Sequence, residues 1–456
     1  MAAASYDCIV IGSGPGGYVA AIRAAQLGRR TAVIERDKVG GRCLNYACIP
    51  AKAMLRSADL LDEVRDAEQY GVRVGGVEVD YPAMQARREK VVTTLTSGVA
   101  SLFRKGGIEL ITGGASLTAS GEVSVGGEVL SAATVILATG SVPLPIPGVE
   151  FGGRVIGTEE AWTLDELPAR LAVVGCGASG VEIASGYARL GSEVVLLEAV
   201  DRVLPTEDAD ISRLVERGLK RQGVEVFTGT PVNDVEARET GVRLSYGSAS
   251  AEVDHLVIAA GRGADVAGLG LAEAGVELGE GRLVKVDGAQ RTTREGIYAI
   301  GDLVAGPALA HKASDEGIIA VEDAAGLETH PLVHVDIPRA TFCTPNVGSF
   351  GLTEAEAREA GYDVVVGKVP YGAVGGGIVY GDRTGLVKLV GESRYGELLG
   401  GHIVGSRATE LIQELVNVRL LEGGFAEVAR IVHGHPTLSE AVMEAGRATD
   451  GWLIHG

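Results

Sequence analysis

The hydrophobic pattern opens on an almost continuously apolar run, Tyr6 to Ile11, that reads as a buried parallel strand. It breaks into Gly12-Ser13-Gly14-Pro15-Gly16-Gly17, and the helical pattern Tyr18 to Leu27 follows. A second apolar run, Thr31 to Ile34, ends on Glu35. The same order returns later in the chain. Leu171 to Val174 reads as a strand, Gly175-Cys176-Gly177-Ala178-Ser179-Gly180 as the turn and Val181 to Leu190 as a helix, and Val194 to Leu197 ends on Glu198. Gly12 to Glu35 and Gly175 to Glu198 are separated by the same 23 positions, which predicts two dinucleotide-binding units of one geometry. In such a unit the first glycine (Gly12, Gly175) permits the tight turn and the second (Gly14, Gly177) lets a pyrophosphate approach the backbone. The third (Gly17, Gly180) lets helix and strand pack closely, with the phosphates at the helix N-terminus. Glu35 and Glu198 are placed to bind ribose hydroxyls, and an acid at Glu198 would repel the extra phosphate of NADP, so the second unit reads as an NAD site.

Between and after these units the pattern changes. Ala53 to Tyr70 and Tyr81 to Lys105 read as packing helices, the second carrying Val91, Leu95, Val99 and Leu102 on one face. Residues 108–137 read as short strands with glycine turns, ending in Val135 to Ser141, and Pro143, Pro145, Pro147 and Gly148 read as a linker. Leu256 to Arg262 echoes Val135 to Ser141. A third block, Gly296 to Asp302, precedes a helix with Leu309, Ala310, His311 and Lys312. Asp302 at a strand end suits a sugar hydroxyl, or else a turn or helix cap. From His334 onward strands dominate, around helices such as Ala408 to Leu421, so the last part reads as α+β.

Length and charge narrow the class. At 456 residues the chain is too long for one ordinary core, and its 67 glycines are scattered through apolar runs, as in a folded chain. A net charge of −19 disfavours nucleic acid and anionic lipid as main partners. No apolar run approaches the roughly 18 residues of a membrane span, and the first residues lack the segments of a signal peptide, so a cytoplasmic protein is expected.

The chemistry is expected at Gly40 to Lys52, where Cys43 and Cys48 stand five apart and Lys52 follows Cys48 by one helical turn. A disulfide can span that interval if the chain turns, and a helix N-terminus beyond it would stabilise a thiolate at Cys48. A purely structural disulfide closing so short a loop removes only about 2 kcal/mol of chain entropy. A metal pair lacks a second cysteine cluster, the other cysteines being Cys8, Cys176 and Cys343, and no metal site is expected. Cys8 and Cys176 fall in or beside buried strands and read as small apolar groups. Two unrelated buried thiols at Cys43 and Cys48 stay open as an alternative to redox chemistry. Near the C-terminus His435 and Glu440 are close enough for a carboxylate to orient an imidazole, the alternative being a surface turn with a helix cap at Thr437 or Ser439. His433 reads as structural.

These motifs, GSGPGGYVAAIRAAQLG, CLNYACIPAK, YAIGD, LAHKASDEGI and HPTLSEA, resemble in content and order those of the FAD-dependent pyridine-nucleotide disulfide oxidoreductases, over essentially the whole chain. Within that family the resemblance is to the branch that oxidises dihydrolipoamide. It implies an α/β fold with two Rossmann-like domains, FAD on the first and NAD on the second, and a homodimer built by a C-terminal α+β domain. The implied divisions are 1–147 (FAD), 148–265 (NAD), 266–333 (returning to the FAD domain) and 334–456 (interface). The implied partner is a lipoyl-bearing acyltransferase of a 2-oxoacid dehydrogenase complex, or a glycine cleavage system.

The resemblance also implies roles. Cys48 matches the flavin-proximal thiol and Cys43 the thiol attacked by substrate. Lys52 and Glu182 match a pair beside the flavin ring, and His435 and Glu440 the base and its partner, acting on the other subunit's site. Asp302 and the backbone of Ala308, Leu309, Ala310 and His311 match flavin contacts. Ala115, Thr139, Gly140 and Ser141 look like further FAD contacts, and Val232 and Gly261 like further NAD contacts. Arg42 stands where the family has threonine and is expected to reach the FAD pyrophosphate. Ala47, Ala51, Asn346 and Val374 to Ile378 also depart from the family pattern, the last two bearing on which disulfide is used. The alternative is an NAD(P)H-dependent reductase of another low-molecular-weight disulfide. A binding reading, in which the dimer is chiefly a docking subunit, sits poorly with retention of every chemical residue.

Overall fold

The computed structural model describes residues 5–456. The first predicted unit forms a sheet in which Ser5–Ile11 lies between Thr31–Glu35 and Glu128–Leu137, all parallel, with Glu109–Thr112 outside Thr31–Glu35. Glu128–Leu137 is shared. Its first half pairs antiparallel with Val123–Val125, and its second half is flanked by Ile297–Ala299, so the chain returns to this sheet after leaving it. The second unit repeats the arrangement. Arg170–Val174 lies between Glu193–Leu197 and His255–Ile258, with Glu225–Phe227 and Val155–Gly157 at the edges. Both central strands are buried along nearly their whole length, which is why they read as continuous apolar runs.

The third unit is a five-stranded antiparallel sheet, Arg339–Thr341, Val347–Gly351, Leu398–Val404, Leu386–Glu392 and Val364–Pro370 in that order, packed on helices Ala408–Leu420 and Glu440–Thr449. It is tied to the second unit by a buried ion cluster. Lys388 Nζ lies 2.8 Å from both carboxylate oxygens of Asp208, 3.0 Å from Asp210 and 2.9 Å from Glu354. Removing one partner of such a cluster costs on the order of 3–5 kcal/mol, because the remaining charge stays buried.

Two expectations change. The helix beginning near Ala53 in fact starts at Cys48 and runs to Arg65, followed by a 3₁₀ turn Ala67–Tyr70. Helix Tyr81–Lys105 buries Val92, Val99 and Phe103, whereas Leu95 and Leu102 are exposed. Two overlapping apolar stripes fit its periodicity, and the one carrying Phe103 meets the core beneath Cys8, Val10 and Ala20. None of the helices among the described residues is long and apolar enough to cross a membrane.

Candidate active site

The two glycine turns separate what the fold needs from what it leaves free. A Cβ at Gly12 would overlap the Ala138 carbonyl and one at Gly17 the Gly12 carbonyl, and Gly12 has φ +100°. The second unit matches: a Cβ at Gly175, φ +105°, meets the Ala259 carbonyl and one at Gly180 the Gly175 carbonyl. At Gly14 and Gly177 a Cβ would find nothing within 4 Å. Packing therefore explains the outer glycines, and the middle ones border open space at a helix N-terminus, where a pyrophosphate fits.

The acids at the strand ends are fastened alike. Glu35 accepts from the Ser13 amide at 2.8 Å and the Asp37 amide at 2.9 Å; Glu198 accepts from the Cys176 amide at 2.6 Å and the Val200 amide at 3.1 Å. Ser13 Oγ adds a third donor to Glu35 at 2.6 Å, a bond for which Cys176 has no hydroxyl.

A cleft of about 590 Å³ collects most of the residues expected at the FAD site: Gly12, Gly14, Gly17, Glu35, Arg42, Ala115, Thr139, Gly140, Ser141, Asp302, Ala308, Leu309 and Ala310. Cys43 and Cys48 line it too. Of the residues expected beside the flavin, His311, Lys52 and Glu182 are not in this lining. The His311 ring is engaged by the Pro338 carbonyl at 2.8 Å. Lys52, one turn after Cys48 on helix Cys48–Arg65, has its Nζ 2.9 Å from both oxygens of Glu182, joining that helix to the second unit. Glu182 also accepts from the Phe342 amide at 2.8 Å, and Lys52 lies over the Phe342 ring.

Arg42 lines the cleft, but its guanidinium is held by Glu159 and by Thr158 Oγ1. Arg262 reaches the same Glu159 oxygen at 2.7 Å and Ser141 Oγ at 2.8 Å, and Ser141 in turn donates to Asp302. Burial alone would raise the Glu159 carboxyl, but Arg42 and Arg262 beside it hold it down at about 2. Sequence reasoning missed Glu159, which carries no local motif, and gave Arg262 no role although it closes the repeated strand segment.

Cys43 sits in the short helix Gly41–Asn45 and Cys48 is the first residue of Cys48–Arg65; they are joined by a disulfide with Cα atoms 4.8 Å apart. That position gives Cys48 the favourable end of the helix dipole for a thiolate. The pairing removes the alternative of two unrelated thiols. Cys8, Cys176 and Cys343 are buried, and burial pushes their thiols up, that of Cys8 to about 12, so they are inert.

His435 and Glu440 do meet. The ring Nδ1 is 2.9 Å from Glu440 Oε1, and the Thr437 amide donates to Glu440 Oε2 at 2.8 Å. Burial pushes the Glu440 carboxyl up, but the Thr437 amide and His435 outweigh it and the net direction is down. An ionised Glu440 keeps the proton on Nδ1 and leaves Nε2, on a side chain three-quarters exposed, with its lone pair outward. The dyad does not line the cleft holding Cys43 and Cys48. Ser439 takes the N-cap position of helix Glu440–Thr449 without capping it. The departure at Val374 to Ile378 has a packing reason: a Cβ at Gly376 would overlap the Thr437 carbonyl carbon, and one at Gly375 would lie 3.6 Å from His435 Cε1. Those glycines let the segment approach the His435 loop.

Residues 6–317 match the family described as pyridine nucleotide-disulphide oxidoreductase, and residues 337–446 match its dimerisation domain. The chain belongs to the pyridine nucleotide-disulphide oxidoreductases. As in that family, its cofactors are FAD and NAD, and its C-terminal unit makes it a homodimer. Among curated relatives it is 40% identical to a dihydrolipoyl dehydrogenase of Bacillus subtilis (strain 168), covering 99% of this chain and 100% of that one. It is 43% identical to the dihydrolipoyl dehydrogenase of Chlorobaculum tepidum over 97% of each chain. Among solved structures it is similar to LpdA from Mycobacterium tuberculosis, with a TM-score of 0.89, 28% identity and coverage of 96% of this chain and 99% of that one. The flavoprotein disulfide reductase RclA from Escherichia coli gives a TM-score of 0.87 at 27% identity, covering 97% and 99%.

Proposed function

We propose that this oxidoreductase oxidises protein-bound dihydrolipoamide to lipoamide and reduces NAD to NADH. The observation that carries the proposal is the Cys43–Cys48 disulfide at a helix N-terminus in the dinucleotide cleft, in a chain whose full-length relatives bear the name dihydrolipoyl dehydrogenase. His435, acting in the homodimer on the thiol pair of the other subunit, takes a proton from one substrate thiol at Nε2 while Glu440 stabilises the imidazolium. Its exposure, and the fact that it does not line its own subunit's cleft, support that crossing. The substrate thiolate attacks Cys43 Sγ, the Cys43–Cys48 bond breaks and Cys48 leaves as a thiolate. The second substrate thiol then displaces Cys43, forming lipoamide and leaving the pair reduced.

Bound FAD supplies the two-electron carrier between the reduced pair and NAD. The residues assigned to hold it are those gathered in the cleft, Arg42 among them, with Glu35 on the ribose. NAD is assigned to Gly175, Gly177, Gly180, Glu198, Val232 and Gly261, with Glu182 paired to Lys52. We assign residues 1–147 and 266–333 to the FAD domain, 148–265 to the NAD domain and 334–456 to the dimer interface. The partner we assign is the lipoyl-bearing acyltransferase of a 2-oxoacid dehydrogenase complex, or else a glycine cleavage system, in the cytoplasm.

Anaerobic titration of the flavoprotein with dihydrolipoamide should raise a long-wavelength thiolate-to-flavin absorption band that clears on adding NAD, with NADH formed. If dihydrolipoamide fails to reduce the protein while NADH reduces it readily, the substrate is another disulfide. A Glu198→Arg variant should shift preference toward NADP by roughly ten- to a hundredfold in the kcat/KM ratio, the value of one charge contact in the ribose pocket. An unchanged ratio would remove Glu198 from the nucleotide site.

A further inference from the structure

A second histidine-carboxylate pair stands two residues before the proposed base. His433 Nδ1 lies 2.8 Å from the Ile431 carbonyl, and Nε2 meets Glu414 Oε1 on helix Ala408–Leu420. Both ring nitrogens face acceptors, and only the imidazolium can donate from both. The other oxygen of Glu414 accepts from Ser439 Oγ at 2.6 Å. One carboxylate thus grips the loop on either side of His435, at His433 before it and at Ser439 after it. The His433 side chain is 4% exposed and that of His435 is 75% exposed, so the two histidines are set for opposite work.

We propose that Glu414 and His433 are positioning residues that clamp the 433–439 loop and aim His435 Nε2 at its substrate. The proposal rests on His435 being the base, as argued above. Three charged groups of this chain act on His433. Glu414 faces it from helix Ala408–Leu420, while Arg447 and Glu440 belong to helix Glu440–Thr449. The Glu414 bond raises the His433 pKa above the ordinary histidine value, against burial and Arg447, which lower it. With the folded value raised, the clamp is complete below the ordinary histidine pKa of about 6.5 and is lost as pH rises through the raised value. His435, in contrast, must be neutral to work. Dihydrolipoamide oxidation should therefore fall at alkaline pH as His433 loses its proton.

The test is Glu414→Gln in the holoenzyme, which keeps the side-chain shape but removes the charge that holds the His433 proton. Dihydrolipoamide oxidation should fall roughly ten- to a hundredfold in kcat, the cost of a base about 1 Å out of place, and its alkaline limb should move to lower pH. Reduction of an artificial dye by NADH, which does not use His435, should be unchanged. Ser439→Ala removes only one leg of the clamp and should lower kcat less, leaving the alkaline limb where it was. In the unmutated holoenzyme, with histidine labelled at Cε1, the His433 signal should titrate above the ordinary histidine value. An unchanged kcat and pH limb in Glu414→Gln, or a His433 signal titrating at or below the ordinary value, overturns the clamp. The two readings separate: if His435→Gln destroys turnover while Glu414→Gln does not, the clamp alone fails, and if His435→Gln is fully active, the base assignment beneath it fails.

Discussion

A Cys48→Ser chain is expected to lose dihydrolipoamide oxidation by on the order of 10³-fold or more while keeping its flavin. Without Cys48 there is no sulfur-sulfur bond to open, so Cys43 stays a thiol and the substrate thiolate has nothing to attack. The substitution should leave the fold and the cleft intact. Cys48 is the first residue of its helix, where serine is accepted, and the outer glycines that shape the cleft are untouched. Flavin content by absorbance, NADH-driven dye reduction and dihydrolipoamide-NAD turnover would be measured on one preparation. Loss of the third with retention of the first two places the electron path through the thiol pair. Retained turnover would falsify the mechanism outright.

His435→Gln should lower the same turnover by about 10²- to 10⁴-fold, the range of a positioned general base. Glutamine fills similar space but has no basic nitrogen to take the substrate proton. The deficit should narrow as pH climbs toward the substrate thiol's own pKa, about 8.5 for a simple thiol, because the thiol then ionises without help. A deficit equally deep at every pH would point to a damaged loop instead, which the packing of Gly375 and Gly376 against residues 435–437 makes a real alternative. The pH series decides between the two.

Much of the site could be read along the chain because its parts are local. A glycine turn between a buried strand and a helix, an acid 23 positions on and two cysteines five apart are each set by consecutive residues, and each recurs in the structure. The third unit's strands and the His435–Glu440 pair were legible for the same reason. Arg42 shows the limit. Its position in the cleft wall follows from its neighbour Cys43, yet its partners Glu159 and Thr158 lie more than a hundred residues away, and no spacing rule connects them. Helix Tyr81–Lys105 shows another, since its periodicity admitted two buried faces and only the sheet beneath could choose between them.

The sequence by itself determined two dinucleotide turns, a thiol pair, a histidine with its carboxylate and the order of the three units. Backbone sterics, helix ends and strand burial act over a few residues, so their signals survive in one dimension. Only the tertiary structure decided that Lys52 meets Glu182, that Glu159 gathers Arg42 and Arg262, and that Glu414 grips both ends of the His435 loop. These are pairings of charges far apart in the chain, and their strength comes from the shared low-dielectric space that folding creates around them.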